Sequence, residues 1–161
     1  MNIPNQANVV IIGGGVVGCS VAYHLGKLGW KEILLIERKK LTCGTTWHAA
    51  GLIAQLRATQ NMTKLAKYSQ ELYWDLEKET GVFTGFKRNG SMTVALTSER
   101  MEELNRQADM SRAFGVEVEN ISLTEIKNKY PHLELQDVVG GLWLSKDGQA
   151  DPVNITQALA K

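Results

Sequence analysis

Residues 9–37 read VVIIGGGVVGCSVAYHLGKLGWKEILLIE, and the fold class follows from this stretch. Val9 to Ile12 is an apolar β-branched run of the kind that fills a buried strand, and it leads into a glycine cluster. Val17, Val21, Ala22, Leu25 and Leu28 then recur at helical spacing, Gly29 stops the helix, and Glu32 to Ile36 reads as a second strand. Strand, glycine turn, helix and strand in this order predict a β-α-β unit with a nucleotide site in its first turn. Gly13, Gly15 and Gly18 form a GxGxxG pattern. In that pattern the first glycine permits the tight turn, the second lets the backbone approach a diphosphate, and the third lets the helix lie close to the sheet. The unpaired N–H groups at the helix start, with Val16 and Val17 among their sources, and the positive end of the helix dipole face the same phosphates. Glu37 lies about 20 residues beyond the last glycine, where a carboxylate accepts the hydroxyls of an adenosine ribose and disfavours a 2′-phosphate.

The chain has 161 residues, 43% hydrophobic and 22% charged, which suits an ordinary globular domain. A formal net charge of +1 gives no reason to expect nucleic acid. Arg38, Lys39 and Lys40 read as the solvated edge after the second strand, with Arg38 close enough to the nucleotide to count as a candidate contact. The longest apolar stretch, Val9 to Ala22, is broken by four glycines, so a membrane span is not expected. The first strand starts within ten residues of Met1, leaving no room for a leader, and this favours the cytoplasm. Cys19 and Cys43 have no CxxC partner and no histidine at ligand spacing, so both read as structural thiols and no metal site is expected.

Residues 41–56 read LTCGTTWHAAGLIAQL and carry the second chemical signal. Gly44, Thr45 and Thr46 suggest a loop that feeds a helix start with a threonine cap. Trp47 and His48 follow, and then Ala49, Ala50 and Gly51, small enough to let a flat ligand lie against the backbone. Leu52, Ile53 and Leu56 would face the interior. A loop after the second strand of a doubly wound sheet emerges at the carboxyl edge, where ligands bind.

Farther on, Asn61 to Thr80 is an amphipathic helix with Met62, Leu65, Tyr68, Leu72 and Leu76 on one face, ended by Gly81. Asn89-Gly90 has the chemistry of a tight turn between strand-like runs, giving a hairpin or a strand bend. Ser98 opens a helix with Met101, Leu104, Ala108 and Phe114 inward. Val116 to Ile121 reads as a strand, Thr124 to Tyr130 as a helix stopped by Pro131, Val138 to Leu144 as a strand, and Asp147-Gly148 as a turn. Asp151 and Pro152 fit the cap and first position of a last helix.

GGGVVGCSVAYHLGKLGW, ILLIER and LTCGTTWHAAGL, followed by KRNGSMTVA, RAFGVE and GGLWLSKDGQADP, resemble the start of the dimethylglycine and sarcosine dehydrogenase group. These are flavoproteins of the D-amino-acid oxidase fold superfamily, and the similarity covers nearly the whole chain. The resemblance implies an α/β fold: a Rossmann-like FAD-binding β-α-β unit followed by part of a mixed α+β substrate domain. Residues 1–58 and 151–161 would belong to the FAD domain and 59–150 to the substrate domain. Because only two parallel strands are evident, the remainder of both is expected to lie outside this stretch. The histidine of TWHAAG is joined covalently to the 8α carbon of FAD in that group, and here this residue is His48. A neutral imidazole is a nucleophile able to add to an electrophilic ring held at bonding distance. From pattern alone, a lone histidine at a helix start is more often a cap or a core residue; the whole hexapeptide argues otherwise.

The implied activity is oxidation of the N-methyl C–N bond of a small amine such as dimethylglycine or sarcosine. An electron-transfer flavoprotein or oxygen would take the electrons, and tetrahydrofolate is a further cofactor expected of the longer polypeptide. In such proteins a missing transit peptide would place the chain in the mitochondrial matrix. No catalytic acid or base is nameable from these residues. One alternative is a non-catalytic regulatory subunit like that of pyruvate dehydrogenase phosphatase, which is expected to lack the hexapeptide. Another is an NAD-linked dehydrogenase, in which the GTTWHAAG loop would have no role.

Overall fold

The computed structural model describes residues 4–161. Strand β1 (Val9–Ile12) runs into helix α1 (Val16–Lys27), and β2 (Ile33–Ile36) returns parallel to β1. Val9 pairs with Ile33 and Ile12 with Ile36. The expected β-α-β unit is therefore present, with β2 one residue shorter at its start because Glu32 takes a φ of +56°. A one-turn 3-10 helix (Thr46–His48) and a two-residue strand β3 (Leu52–Ile53) follow, then the long helix α2 (Gln60–Thr80). Next come β4 (Ser91–Ala95), α3 (Ser98–Ala113), β5 (Glu119–Ile121), α4 (Leu123–Lys129), β6 (Gly140–Leu144), β7 (Gly148–Gln149) and α5 (Pro152–Leu159).

The chain divides into two compact units. The first comprises the described part of Met1–Leu52 together with Leu72–Phe86 and Gln149–Lys161; the second comprises Ile53–Glu71 and Lys87–Gly148. The core of the first gathers Cys19 from α1, Leu76 from α2, and Ile155, Ala158 and Leu159 from α5. Each fully buried leucine or isoleucine in such a cluster contributes about 1.5–3 kcal/mol. Helix α5 begins as its sequence predicts: Asp151 Oδ1 accepts from the N–H groups of Val153 at 2.8 Å and Asn154 at 3.1 Å, with Pro152 in the first turn.

The buried side of α1 differs from the periodic stripe. Cys19 is 0% exposed, whereas Val17 is 74% exposed and Val21 and Leu28 also face outward. Valines lie around much of this helix, so spacing alone does not select the packed face. Burial, with the Glu37 charge second, pushes the Cys19 thiol up, which makes it the inert packing thiol its setting suggests.

In the second unit β4, β6 and β5 form an antiparallel sheet in that spatial order. Ser91 pairs with Leu144, and Glu119 with Trp143. Helix α3 closes one cluster with Leu104 and Ala108 against Ala95 and Leu142, and Ile126 of α4 joins Ile121 and Val138 in another. Helix α4 starts with a capping box: Ser122 Oγ accepts from Glu125 N at 3.3 Å while Glu125 Oε2 accepts from Ser122 N at 2.7 Å.

Three expectations are narrowed or changed here. Asn89-Gly90 does not join two adjacent strands; β4 pairs with the distant β6, and the Gly90 N–H donates to the Asp147 carbonyl at 2.8 Å. Asp147 closes the expected turn, its N–H donating to the Leu144 carbonyl at 3.3 Å, but it does so from the interior. It is 2% exposed, and its carboxylate accepts from Gln55 N at 2.9 Å and from Ser91 Oγ at 2.6 Å. On α2, Met62, Leu65 and Tyr68 are exposed, while the polar Thr63 and Gln70 are buried. Gln70 is held there because it accepts from Gln55 Nε2 at 2.7 Å and donates to the Lys146 carbonyl.

Candidate functional site

The site is built on the first unit, where the glycine turn ends and α1 begins. Gly13 has a φ of +111°, which the tight exit from β1 requires. A Cβ on Gly18 would collide with the Gly13 carbonyl oxygen, so α1 lies against the turn and β1 only because this position is glycine. Gly15 is the residue before α1 and supplies no side-chain cap, and the first turn carries no acid. Its dipole and the N–H groups of its first turn are thus arranged to receive negative charge, except the Val16 N–H, an expected phosphate donor that Thr46 Oγ1 takes instead.

Two side chains from the next segment are bonded to this turn. Glu37 Oε2 accepts the Gly14 N–H at 2.8 Å, and its Oε1 accepts from Lys39 N at 3.0 Å and from Cys43 Sγ at 3.5 Å. The Gly14 N–H first, and the Lys39 N–H second, hold the Glu37 carboxyl below its ordinary range, so it is an ionised acceptor at neutral pH. A carboxylate offers about four lone-pair positions, which leaves capacity beyond these three bonds for hydroxyl donors. Thr46 Oγ1 accepts the Val16 N–H at 3.0 Å, and the Thr42 N–H donates to the Gly14 carbonyl at 2.9 Å.

The expected helix with a threonine cap is replaced by the single turn Thr46–His48, whose preceding Thr45 makes no side-chain cap bond. The reason is that Thr46 caps α1, thirty residues back in the chain, rather than its own turn. His48 N donates to the Thr45 carbonyl at 3.1 Å, and the Trp47 and His48 rings lie 3.7 Å apart between centroids at a 36° tilt. Trp47, His48, Ala49 and Ala50 are exposed, as are Arg38, Gly44 and Thr45. Gly51 is buried, whereas Leu52 is 74% exposed and does not face the interior as expected; Gln55 takes the buried place in that stretch. Cys43 is likewise an exposed thiol beside Glu37 rather than a packed one.

Gly14 and Thr42 belong to this constellation and were not among the sequence candidates. Gly14 had a signal, as the middle of three glycines whose added Cβ would meet Leu41 Cδ2 at 2.5 Å. Thr42 had none: it is a buried residue at φ +72°, set by its bond to Gly14. Among the described residues no group of three or more His, Cys, Asp or Glu is placed to hold a metal ion. No helix among them is long and apolar enough to cross a membrane.

An N-terminal donor set, a glycine turn and an ionised carboxylate suit the adenosine diphosphate half of a dinucleotide, and the sequence profile of the FAD dependent oxidoreductase family matches residues 8–161. The chain belongs to that family, with the D-amino-acid oxidase fold, whose cofactor is FAD. It is 41% identical over 160 residues to human mitochondrial sarcosine dehydrogenase, covering 99% of this chain and 17% of that protein. Human mitochondrial dimethylglycine dehydrogenase is 41% identical over 156 residues, 97% of this chain and 18% of that one. The mitochondrial pyruvate dehydrogenase phosphatase regulatory subunit of Mus musculus is 39% identical over 158 residues, 98% and 18% respectively. Among solved structures, L-proline dehydrogenase from P. horikoshii superposes with a TM-score of 0.91 at 30% identity, over 98% of this chain and 41% of that one. The chain thus spans less than a fifth of the length of the curated relatives named here.

Proposed function

We propose that this chain is the amino-terminal, FAD-holding part of an oxidoreductase acting on the N-methyl C–N bond of a small methylated amine, with sarcosine and dimethylglycine as the substrates to test first. The observation that carries this is the bond from Val16 N to Thr46 Oγ1 at 3.0 Å, which ties the diphosphate-binding helix start to the turn carrying His48. FAD, when bound, supplies the hydride acceptor. The residues of this chain bind and orient it: the N–H groups at the start of α1 other than that of Val16, which Thr46 Oγ1 takes, hold the diphosphate, Glu37 accepts the ribose hydroxyls, and Trp47, Ala49 and Ala50 form the surface beside the ring. His48 is the point of covalent attachment and not a general base. Electron transfer to a flavoprotein partner or to oxygen, and transfer of the one-carbon unit to tetrahydrofolate, belong to the longer polypeptide. Its site of action is the cytoplasm or, as for the relatives named mitochondrial, the matrix.

Acid precipitation of the full-length protein tests this. Flavin absorbance and mass are expected to stay on the peptide containing His48, and His48→Ala is expected to bind FAD that acid releases. An acid-stable flavin in His48→Ala would move the attachment to another residue. The similarity to the regulatory subunit supports a second reading, in which the chain binds a partner without turnover. A purified protein with no flavin at all would favour that reading over the enzyme.

A further inference from the structure

The hexapeptide bearing His48 ends at Gly51, which is buried at a φ of +73°, a conformation that L side chains rarely adopt. The Gly51 carbonyl accepts the Ala150 N–H at 2.9 Å. A Cβ at Gly51 would collide with the Ala150 carbonyl oxygen and meet Pro152 Cδ at 3.5 Å. The next N–H, that of Asp151, donates to the Thr84 carbonyl at 3.0 Å. Thr84 is 1% exposed and is latched by Glu77, whose Oε2 accepts the Thr84 N–H at 3.0 Å and its hydroxyl at 3.2 Å. Three backbone segments, at 51, 150–151 and 84, are therefore stitched side by side in the first unit. The glycine expected to admit a ligand has a backbone carbonyl as its neighbour.

We infer that Gly51, Ala150 and Thr84 form a clamp that positions the His48 turn, so that segments far along the chain decide whether the imidazole reaches the flavin ring. This rests on the covalent attachment proposed above. In that attachment an imidazole nitrogen of His48 replaces one hydrogen on the ring's methyl carbon. The N–H and C–H bonds break, and two protons and an electron pair leave to the electron acceptor that turns the enzyme over. Gly51, Ala150 and Thr84 are positioning residues, acting through where they hold His48.

The test uses the full-length protein with two readouts: total flavin per polypeptide, and the share that stays with the polypeptide after acid precipitation. Gly51→Ala is expected to load FAD yet attach it about a hundredfold more slowly, the effect of about 1 Å of misplacement on a reaction that needs a near-attack geometry. Where Gly51→Ala yields no soluble protein, Thr84→Val decides; it keeps the side-chain volume and deletes the hydroxyl that bonds Glu77, and slower attachment with unchanged total flavin is expected. Wild-type attachment in either soluble variant overturns the clamp. Acid release of flavin from the wild type overturns the covalent attachment itself, so the two failures are told apart.

Discussion

Alanine at Gly15 and alanine at Gly18 each add one methyl group to the same turn, three residues apart, and the structure predicts opposite readouts. At Gly18 the new Cβ would collide with the Gly13 carbonyl oxygen, with Gly13 C at 3.2 Å and Ile11 Cγ2 at 3.4 Å. A tight-turn backbone does not swing aside as a flexible side chain does, so α1 must shift. Overpacking of this kind costs about 1–3 kcal/mol, and the upper part of that range applies because the obstacle is backbone. Alanine's better helix propensity offsets about 1 kcal/mol. The net loss of about 2 kcal/mol lowers the melting temperature by about 4–8 °C at this chain length. At Gly15 the new Cβ meets only Thr46 Oγ1, at 3.0 Å, and a hydroxyl yields by a few tenths of an ångström. The apoprotein is therefore expected to lose about 0.5–1 kcal/mol, the cost of alanine in place of glycine at the N-cap, less than at Gly18. Its affinity for FAD, in contrast, falls at least about tenfold, or about 1.4 kcal/mol, because the methyl lies where the diphosphate approaches the backbone. Thermal melting of the apoprotein and FAD titration by flavin fluorescence, both in a His48→Ala background so that the flavin exchanges, give the two readouts. Gly15→Ala binding FAD as its parent does would refute the assignment of this turn to the diphosphate. Gly18→Ala melting as its parent does would refute the contact between α1 and the turn.

Removing the buried Asp147 carboxylate leaves Gln55 N–H and Ser91 Oγ without their acceptor. Hydrogen bonds to a charged group are each worth about 1.5–3 kcal/mol, so Asp147→Ala should lower the urea midpoint by the equivalent of about 3 kcal/mol or more, and an unmoved midpoint would show the hub is not formed. Glu37 is held below its ordinary range by the Gly14 N–H and then the Lys39 N–H. A depressed carboxylate contributes stability above its unfolded pKa, and that contribution is lost as pH falls through the folded value. Affinity for FAD is accordingly expected to stay flat from neutral pH into the ordinary glutamate range of about 4.3 and to weaken only below it; a dissociation constant that climbs between about pH 7 and pH 5 would contradict the role given to Glu37.

What the sequence made legible is what neighbours in sequence determine. The strand, glycine turn, helix and strand of residues 9–36 and the cap of α5 by Asp151 and Pro152 are local patterns, and they fold as local patterns. Ser122 and Glu125 form a capping box three residues apart, a local signal that a helix start at Thr124 passes over. What the local patterns left unread shares one cause. Asp147-Gly148 has turn chemistry, yet Asp147 is buried because its partner Gln55 lies 92 residues away. Thr46 looks like the cap of its own turn, and it caps a helix thirty residues earlier.

The same cause limits what the hexapeptide itself can do. Its small residues invite a reading in terms of a ligand, but the conformation of Gly51 is set by Ala150, which Asp151 ties to Thr84. In the attachment proposed above, a six-residue motif would supply the nucleophile, while its aim would depend on three segments that no local pattern joins. A chain that keeps all six residues and loses the segment around 84 or 150 should therefore bind FAD at its first turn and fail to attach it.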